Sequence, residues 1–412
     1  MLAKLNSTLV AQAAGASMTV GVGFWLAYAM EVEAYGSFSA WLSVVTVCGA
    51  ILMAGVPNSI TSTISGKWDS HPGFVRATVR WSSLTILRRL AVITVLAAVV
   101  CSFYYDFSAY NGALFFLGIV ASASKAIQAQ QAAVINTLSH HARAALLLTF
   151  WTGFFVTVLT FLVKDLIPLS VVIVASCQAL ASALCCLPSI RLVQRKLISS
   201  QVTAYSNPPI ADFAVTVVIQ TLNFQLGLLW LAQFFSASET AEFRVGLMIA
   251  TVPTILSAAM VLLAQPTLAQ LYNSKKYLTY KRQARKFILS SSGGSLLLAV
   301  ILLPNVQFIV NILFDEKYAT AGALGFILLL GSIVACATST VPVALNMCGR
   351  QSLVRNASVG ALLTHLLMLC AFGNSAEGVA LTFIGYNVVY GLLCVICLIL
   401  TFRALENDNN CS

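Results

Sequence analysis

The chain has 412 residues, a hydrophobic fraction of 59% and a mean hydropathy of +0.89, all outside the range of soluble globular domains. Only 9% of its residues are charged, so the formal net charge of +10 does not indicate a nucleic-acid partner. The composition is that of a polytopic membrane protein, in which an excess of Lys and Arg reports orientation.

A transmembrane helix needs about 20 largely apolar residues, and twelve stretches of the chain meet this requirement. In chain order they are 8–29, 37–64, 84–105, 111–138, 144–163, 168–190, 212–235, 243–271, 287–314, 320–346, 353–373 and 377–402. We therefore expect an all-α polytopic membrane protein with about 12 transmembrane helices in the lipid bilayer. Because twelve is even, both termini lie on one side.

The connections between these spans divide by sign of charge. About 20 of the 23 Lys and Arg residues lie on one side, if Lys125 inside the fourth span is counted with them. The opposite connections are mostly acidic and hold only Lys164, Arg244 and Lys317 as cations. Short loops rich in Lys and Arg remain cytoplasmic, so both termini are predicted to be cytoplasmic. The first apolar segment is too long for a cleavable signal peptide and is interpreted as span 1.

The chain resembles itself at an offset of about 209 residues. Glu33 precedes Pro57 by 24 residues, and Glu242 precedes Pro266 by the same number. This pattern indicates duplication of a six-helix unit. Because six is even, the copies have the same orientation and are related by a pseudo-two-fold axis along the membrane normal, as in one class of secondary transporters.

A polar linker at 191–211 separates the copies, which predicts an N-terminal six-helix half of residues 1–200 and a C-terminal half of residues 201–412. In such folds the substrate path runs between the halves. Pro57 and Pro266 lie deep in the second and eighth spans, where they are expected to kink the helices.

The fourth span carries a polar stripe at membrane depth that includes Lys125, Gln128 and Asn136. A lysine at the centre of a membrane helix costs about 2.5–3.5 kcal/mol, so this stripe must face protein or a water-filled cavity. One interpretation is helix–helix contact. The other is a cavity wall in which Lys125 meets an anionic substrate, with Arg143 near the cytoplasmic end of the span as a second cation.

The seventh span has a similar stripe, with Asp212, Gln220 and Asn223 as further candidates for the substrate path. Asp212 has an alternative role as a helix N-cap at the cytoplasmic interface. His365, deep in the eleventh span, is interpreted as a hydrogen-bonded residue of the bundle interior.

Several kinds of chemistry have no signature in the chain. It contains no GxxxxGK[ST] phosphate loop, no catalytic triad pattern and no Cys or His spacing typical of a metal site. We therefore expect no cofactor, no metal and no catalytic residue, which favours a secondary transporter over an enzyme.

Five short motifs in chain order resemble the Wzx-type bacterial polysaccharide and O-antigen flippases, members of the multidrug/oligosaccharidyl-lipid/polysaccharide exporter superfamily. They are Glu33–Phe38 (EAYGSF), Ala54–Pro57 (AGVP), Ala264–Ala269 (AQPTLA), Leu313–Ala319 (LFDEKYA) and Asn346–Arg350 (NMCGR). The resemblance implies a MATE-like fold and ion-coupled alternating access.

The same resemblance implies a substrate. It would be an oligosaccharide repeat unit of O-antigen, capsule or exopolysaccharide, linked to undecaprenyl diphosphate and moved from the cytoplasmic to the periplasmic leaflet of the bacterial inner membrane. Lys125 and Arg143 would meet the anionic headgroup, and the amides of spans 4 and 7 would meet sugar hydroxyls. Other polysaccharide assembly proteins would be further partners.

Three alternatives remain open. A multidrug or cation exporter of the same fold predicts intramembrane carboxylates, which the N-terminal half lacks. A polysaccharide polymerase or ligase predicts a large periplasmic loop, and the predicted periplasmic loops are short. A facilitator-superfamily carrier predicts a characteristic basic repeat after the second span, where the chain has 66–73 (GKWDSHPG).

Overall fold

The computed structural model describes residues 2–65, 67, 72–104, 109–138, 140–165, 167–197 and 211–410. The first set of helices is α1 (Leu2–Ala29), α2 (Val32–Met53), α3 (Val56–Ile64), α4 (Pro72–Tyr104), α5 (Ala109–Thr137), α6 (His141–Ala145), a π-helical turn (Leu146–Phe150), α7 (Trp151–Lys164) and α8 (Val171–Leu197). The second set is α9 (Ala211–Phe234), α10 (Ala237–Ala250), α11 (Thr254–Asn273), α12 (Tyr277–Leu302), a 3-10 turn (Leu303–Asn305), α13 (Val306–Phe314), α14 (Ala321–Thr338), α15 (Thr340–Met347), α16 (Gln351–Phe372) and α17 (Ala376–Asn410). The predicted boundary between residues 200 and 201 lies outside the described residues.

Each predicted span coincides with helical residues, so the chain is an all-α, multi-pass membrane protein. Within the described ranges, ten helical stretches are long and apolar enough to cross a membrane, and Val171–Cys186 is a shorter apolar helix. The predicted span 84–105 coincides with α4 up to residue 104, and α4 carries four arginines among its first 18 residues.

Because successive spans run in opposite directions, the connections gather at two ends of the bundle. The basic end holds the start of α1 and the connections α3–α4, α5–α6, α11–α12 and α15–α16. The acidic end holds the connections α1–α2, α9–α10, α13–α14 and α16–α17. These two names refer to the charges of the connecting residues and of the helical turns beside them.

The second span is interrupted before its proline. Helix α2 ends at Met53, and Gly55 has a φ of 74°, a left-handed conformation that glycine adopts without the steric penalty of a Cβ. Pro57 then lies in the first turn of α3, where its missing N–H is not needed. The expected kink at Pro57 is therefore wrong, because the chain breaks at Gly55 and restarts.

The eighth predicted span is also interrupted, but not at its deep proline. Pro266 does lie inside α11, but the helix continues through it. The interruption falls at 251–253, between α10 and α11, where Pro253 precedes the first residue of α11. The second span is thus interrupted two residues before Pro57, whereas the interruption of the eighth span ends 13 residues before Pro266.

Arg89 stabilises the interruption in the second span. Its Nη1 donates hydrogen bonds to the carbonyl oxygens of Leu52 at 3.2 Å and Ala54 at 2.8 Å. Those carbonyls lie where α2 has ended and no further helical N–H is available. Arg89 therefore has a structural role, in addition to the orientation role that its charge predicts.

The apolar core differs between the two ends of the bundle. At the acidic end, one cluster joins both sets of helices and includes Leu26, Tyr35, Phe38, Leu231, Phe243, Leu247, Phe314 and Tyr318. At the basic end, one cluster contains only residues between 52 and 147, and another contains only residues between 260 and 402. The two sets therefore share a core at the acidic end and have separate cores at the basic end.

Polar contacts follow the same division. At the acidic end, Lys317 Nζ donates to the carbonyl oxygens of Ala27, Tyr28 and Met30 at 2.7–2.9 Å, and these groups lie at the end of α1. At the basic end, three amide groups connect the sets: Asn136 to the carbonyl of Leu262, Gln265 to Asn58, and Asn273 to the carbonyl of Ser62. An apolar seam thus closes the acidic end, whereas the basic end has no shared buried cluster among the described residues and is joined by these hydrogen bonds and by packing of α11 against α1 and α3.

Candidate substrate cavity

A cavity of about 450 Å³ lies between the two sets of helices, under the apolar seam. We call it the central cavity. The first set contributes α1, α2, α5, α7 and α8 to its wall, and the second contributes α9 and α10. Its polar side chains are Thr19, Tyr35, Ser39, Thr46, Lys125, Gln128, Thr152, Gln178, Gln225, Arg244 and Thr251. No Asp or Glu is among the described residues that line it.

Lys125 lines the central cavity, as the polar stripe of α5 predicts for a cavity wall. Its Nζ donates a hydrogen bond to the Thr46 hydroxyl at 3.3 Å. Arg244, which carries a charge of the same sign, is close enough to act on it electrostatically. The ammonium group is thus held by one neutral partner and has donors left for a ligand.

Arg244 is the residue of this site that sequence reasoning missed. In the sequence it counts with the acidic connections, because it is only the second residue of the predicted span 243–271. The structure starts α10 earlier, at Ala237, after a capping box between Ser236 and Glu239. Arg244 consequently lies on the helix, and its side chain interacts with the hydroxyl of Tyr35.

The helical register of α10 explains why Arg244 faces the cavity. Arg244, Leu247, Met248 and Thr251 all line it, and positions i, i+3, i+4 and i+7 lie on one face of an α-helix. The sequence does contain a signal that would have found Arg244. The capping residues Ser236 and Glu239 mark the start of α10, and a helical register counted from them places Arg244 well inside the helix.

Three glutamines, Gln128, Gln178 and Gln225, give the central cavity amide groups beside its cations. Gln128 Nε2 donates to the carbonyl oxygen of Ser182 at 3.0 Å, which fixes its side chain. Gln225 is 5% exposed, and its Oε1 has no hydrogen-bond partner within the described part of the chain. The cavity therefore offers two cations and an unused acceptor to one ligand.

A second cavity, also about 450 Å³, adjoins the first toward the basic end. We call it the amide cavity, because its polar lining includes Gln12, Asn58, Asn136 and Gln265. Met53, Ala129 and Leu148 line both cavities, so the two are neighbours along the interface between the sets.

Asn136 is the third sequence candidate that lines a cavity, here the amide cavity. Its Nδ2 donates to the carbonyl oxygen of Leu262 at 3.1 Å, and its Oδ1 is 2.6 Å from Nδ1 of His141. Both ends of this amide are thus used within the protein.

The remaining four candidates line neither cavity. Arg143 is exposed on α6 at the basic end. Asp212 lies in the first turn of α9 and forms an ion pair of 2.6 Å with Arg355 of α16. Gln220 donates to the hydroxyl of Tyr390. These contacts hold the second set of helices together.

Asn223 belongs to a buried network inside the second set. Its Oδ1 is 3.0 Å from Nδ1 of His365, and its Nδ2 donates to the carbonyl oxygen of Ile219. His365 Nε2 is 3.1 Å from the Thr382 hydroxyl, and the imidazole stacks on Tyr386 with centroids 5.6 Å apart. His365 is therefore a hydrogen-bonded residue of the bundle interior, as its isolation in the sequence predicts.

Comparisons with known proteins identify the fold. No protein-family model matches the chain, and no curated protein matches it in sequence. Solved structures do match over nearly the full length. A MATE crystal structure has a TM-score of 0.74 and 11% identity, over 98% of this chain and 96% of the other. The MATE transporter VcmN of Vibrio cholerae has a TM-score of 0.70 and 13% identity, over 97% of each chain.

An inward-facing multidrug resistance MATE family transporter of the MOP superfamily also matches. Its TM-score is 0.67 and its identity 12%, over 95% of this chain and 96% of the other. At these identities the similarity establishes a shared architecture. The chain has the MATE fold.

Proposed function

We propose that this protein is a flippase for oligosaccharide repeat units linked to undecaprenyl diphosphate, the precursors of O-antigen, capsule or exopolysaccharide. The observation that carries the proposal is the pair Lys125 and Arg244, which line one cavity that no described carboxylate lines. A diphosphate supplies the negative charge that this cavity lacks, and its polyprenyl tail can remain in the lipid.

The direction of transport follows from the charges of the two ends. Short basic connections remain cytoplasmic, so we place the basic end and both termini in the cytoplasm of a bacterium and the acidic end in the periplasm. The closed apolar seam then faces the periplasm, and the separate cores face the cytoplasm. This arrangement suits loading of substrate from the cytoplasmic leaflet.

Transport would proceed by ion-coupled alternating access between an N-terminal half, residues 1–200, and a C-terminal half, residues 201–412. The clusters at the basic end each belong to one half, so each can move as a unit. The seam at the acidic end must part for release, whereas widening of the basic end must break a few hydrogen bonds and the packing of α11 against α1 and α3.

A multidrug exporter of the same fold is the second candidate, favoured by the multidrug resistance MATE transporters among the structural neighbours. A cationic cargo in the central cavity, however, would be repelled by Lys125 and Arg244. At about 4 Å and an effective dielectric constant of about 20, each such contact changes the energy by roughly 4 kcal/mol. The two cations therefore favour an anionic cargo.

Deletion of the gene tests the proposal. Loss of surface polysaccharide with accumulation of complete lipid-linked repeat units supports the flippase, and wild-type protein restores export. The double variant Lys125→Gln/Arg244→Gln should fail to restore it, whereas Arg80→Gln, at an exposed cation of α4, should succeed. Unchanged polysaccharide with altered drug sensitivity would support the multidrug exporter instead.

A further inference from the structure

We propose that the amide cavity binds the uncharged sugar next to the lipid carrier, while the central cavity holds the diphosphate. This inference rests on the proposed function and adds an orientation to it. The sugar would point toward the basic end, and the phosphates would lie under the apolar seam.

The lining of the amide cavity disfavours ions. No Lys, Arg, His, Asp or Glu is among the described residues that line it. A bound anion would have no protein cation beside it, and a bound cation would have no carboxylate. Both would be disfavoured, because an unpaired buried charge is costly. The occupant that fits this lining is uncharged.

Gln12 indicates that the occupant carries hydrogen-bond donors. Its side chain is 8% exposed, and its Oε1 is buried without a hydrogen-bond partner within the described part of the chain. A buried polar atom is normally paired, and each exception calls for an explanation. A sugar hydroxyl is a donor of suitable size for this carbonyl oxygen.

The other amides complete a lining that suits a sugar ring. Asn58 Oδ1 accepts only a long hydrogen bond of 3.4 Å from Gln265 Nε2, so both amides can turn toward a ligand. Between them lie apolar side chains, among them Ala132, Ala133 and Leu262. Sugars present hydroxyls at the ring edge and C–H groups on the faces, and this mixture of few amides and apolar surface matches both.

The two cavities are placed for one ligand. Helix α5 runs past both, with Lys125 in the central cavity and Asn136 in the amide cavity. Eleven residues at a rise of 1.5 Å separate them by about 16 Å along the helix axis. A diphosphate with one or two attached sugars extends over this order of length.

The test compares two probes on purified protein in nanodiscs. One is undecaprenyl diphosphate, and the other is the lipid-linked oligosaccharide extracted from cells that lack the gene. We expect wild-type protein to bind the oligosaccharide form about 10-fold more tightly or better. The variant Gln12→Leu/Asn58→Leu should lose that preference and keep its affinity for undecaprenyl diphosphate, because each lost hydrogen bond to a buried amide weakens only the sugar contact.

Gln283→Leu is the matched control. Its Oε1 is likewise buried without a partner among the described residues, but it lines neither cavity, so the preference should remain. If Gln12→Leu/Asn58→Leu keeps the full preference, or weakens both probes equally, the sugar assignment is overturned while the proposed function stands. If wild-type protein binds neither probe, the proposed function itself fails and the sugar assignment with it.

Discussion

Lys125 of α5 and Arg244 of α10 face the same cavity from opposite sets of helices. Each cation raises the energy of the other, so their proximity is unfavourable without a ligand. An anion between them would remove that repulsion and draw the two sets together. The pair therefore links substrate charge to the relative position of the two sets.

Removing either cation should weaken binding of undecaprenyl diphosphate. We expect Lys125→Gln and Arg244→Gln each to raise the Kd about 10-fold or more, since each removes one charge contact in a partly desolvated site. Binding to nanodiscs at fixed ionic strength measures this effect. Arg80→Gln, which removes an exposed cation that lines neither cavity, should leave the Kd unchanged. Equal Kd values for all variants would contradict the assignment.

Arg89 should matter for stability rather than for binding. Arg89→Met leaves the carbonyls of Leu52 and Ala54 without their donor, and hydrogen bonds to a charged group contribute about 1.5–3 kcal/mol. We expect a lower midpoint of thermal unfolding in detergent. Arg88→Met removes the neighbouring, exposed arginine and should change the midpoint little. If the two variants unfold at the same temperature, the role of Arg89 at the helix break is wrong.

The apolar seam depends on close approach of α2 and α10. A Cβ at Gly36 would lie 1.8 Å from the carbonyl oxygen of Ala237, so Gly36→Ala must push the helices apart. Overpacking of this kind costs about 1–3 kcal/mol. A Cβ at Gly21 would meet nothing within 4 Å, so Gly21→Ala should preserve or raise stability. The midpoints of thermal unfolding distinguish them, and a stable Gly36→Ala protein would contradict the packing of the seam.

Asn223 should stabilise the second set of helices and should not contact substrate. Asn223→Leu deprives His365 of a buried partner, which costs about 1–3 kcal/mol of stability. The folded fraction should keep its affinity for undecaprenyl diphosphate. Asn311→Leu, at an exposed amide of α13, is the control and should unfold near the wild-type temperature. A Kd raised by Asn223→Leu in folded protein would instead return Asn223 to the substrate path.

The sequence predicts the spans well because length and apolar composition are local properties. The interruptions depend on distant residues. Pro266 stays inside a helix, whereas the break at Gly55 persists because Arg89, more than 30 positions later, satisfies the freed carbonyls. No local pattern in the sequence carries that information.

Only part of the site could be predicted from the sequence, because the direction that a helix face points depends on the packing of the helices. Periodicity shows that Lys125 and Asn223 each lie on a polar stripe, but it does not show what the stripe faces. The rotation of α5 turns Lys125 to a cavity, and that of α9 turns Asn223 to His365. Arg244 was missed because its role depends on where α10 begins.

The most direct test of the account is flipping by purified protein in proteoliposomes. A lipid-linked oligosaccharide carrying a fluorophore on its sugar is loaded into both leaflets, and a membrane-impermeant quencher reports its movement between them. We predict that wild-type protein and Arg80→Gln accelerate movement in the presence of an ion gradient, and that Lys125→Gln/Arg244→Gln does not. Movement at the protein-free rate with wild-type protein, or full activity in the double variant, would contradict the central claim.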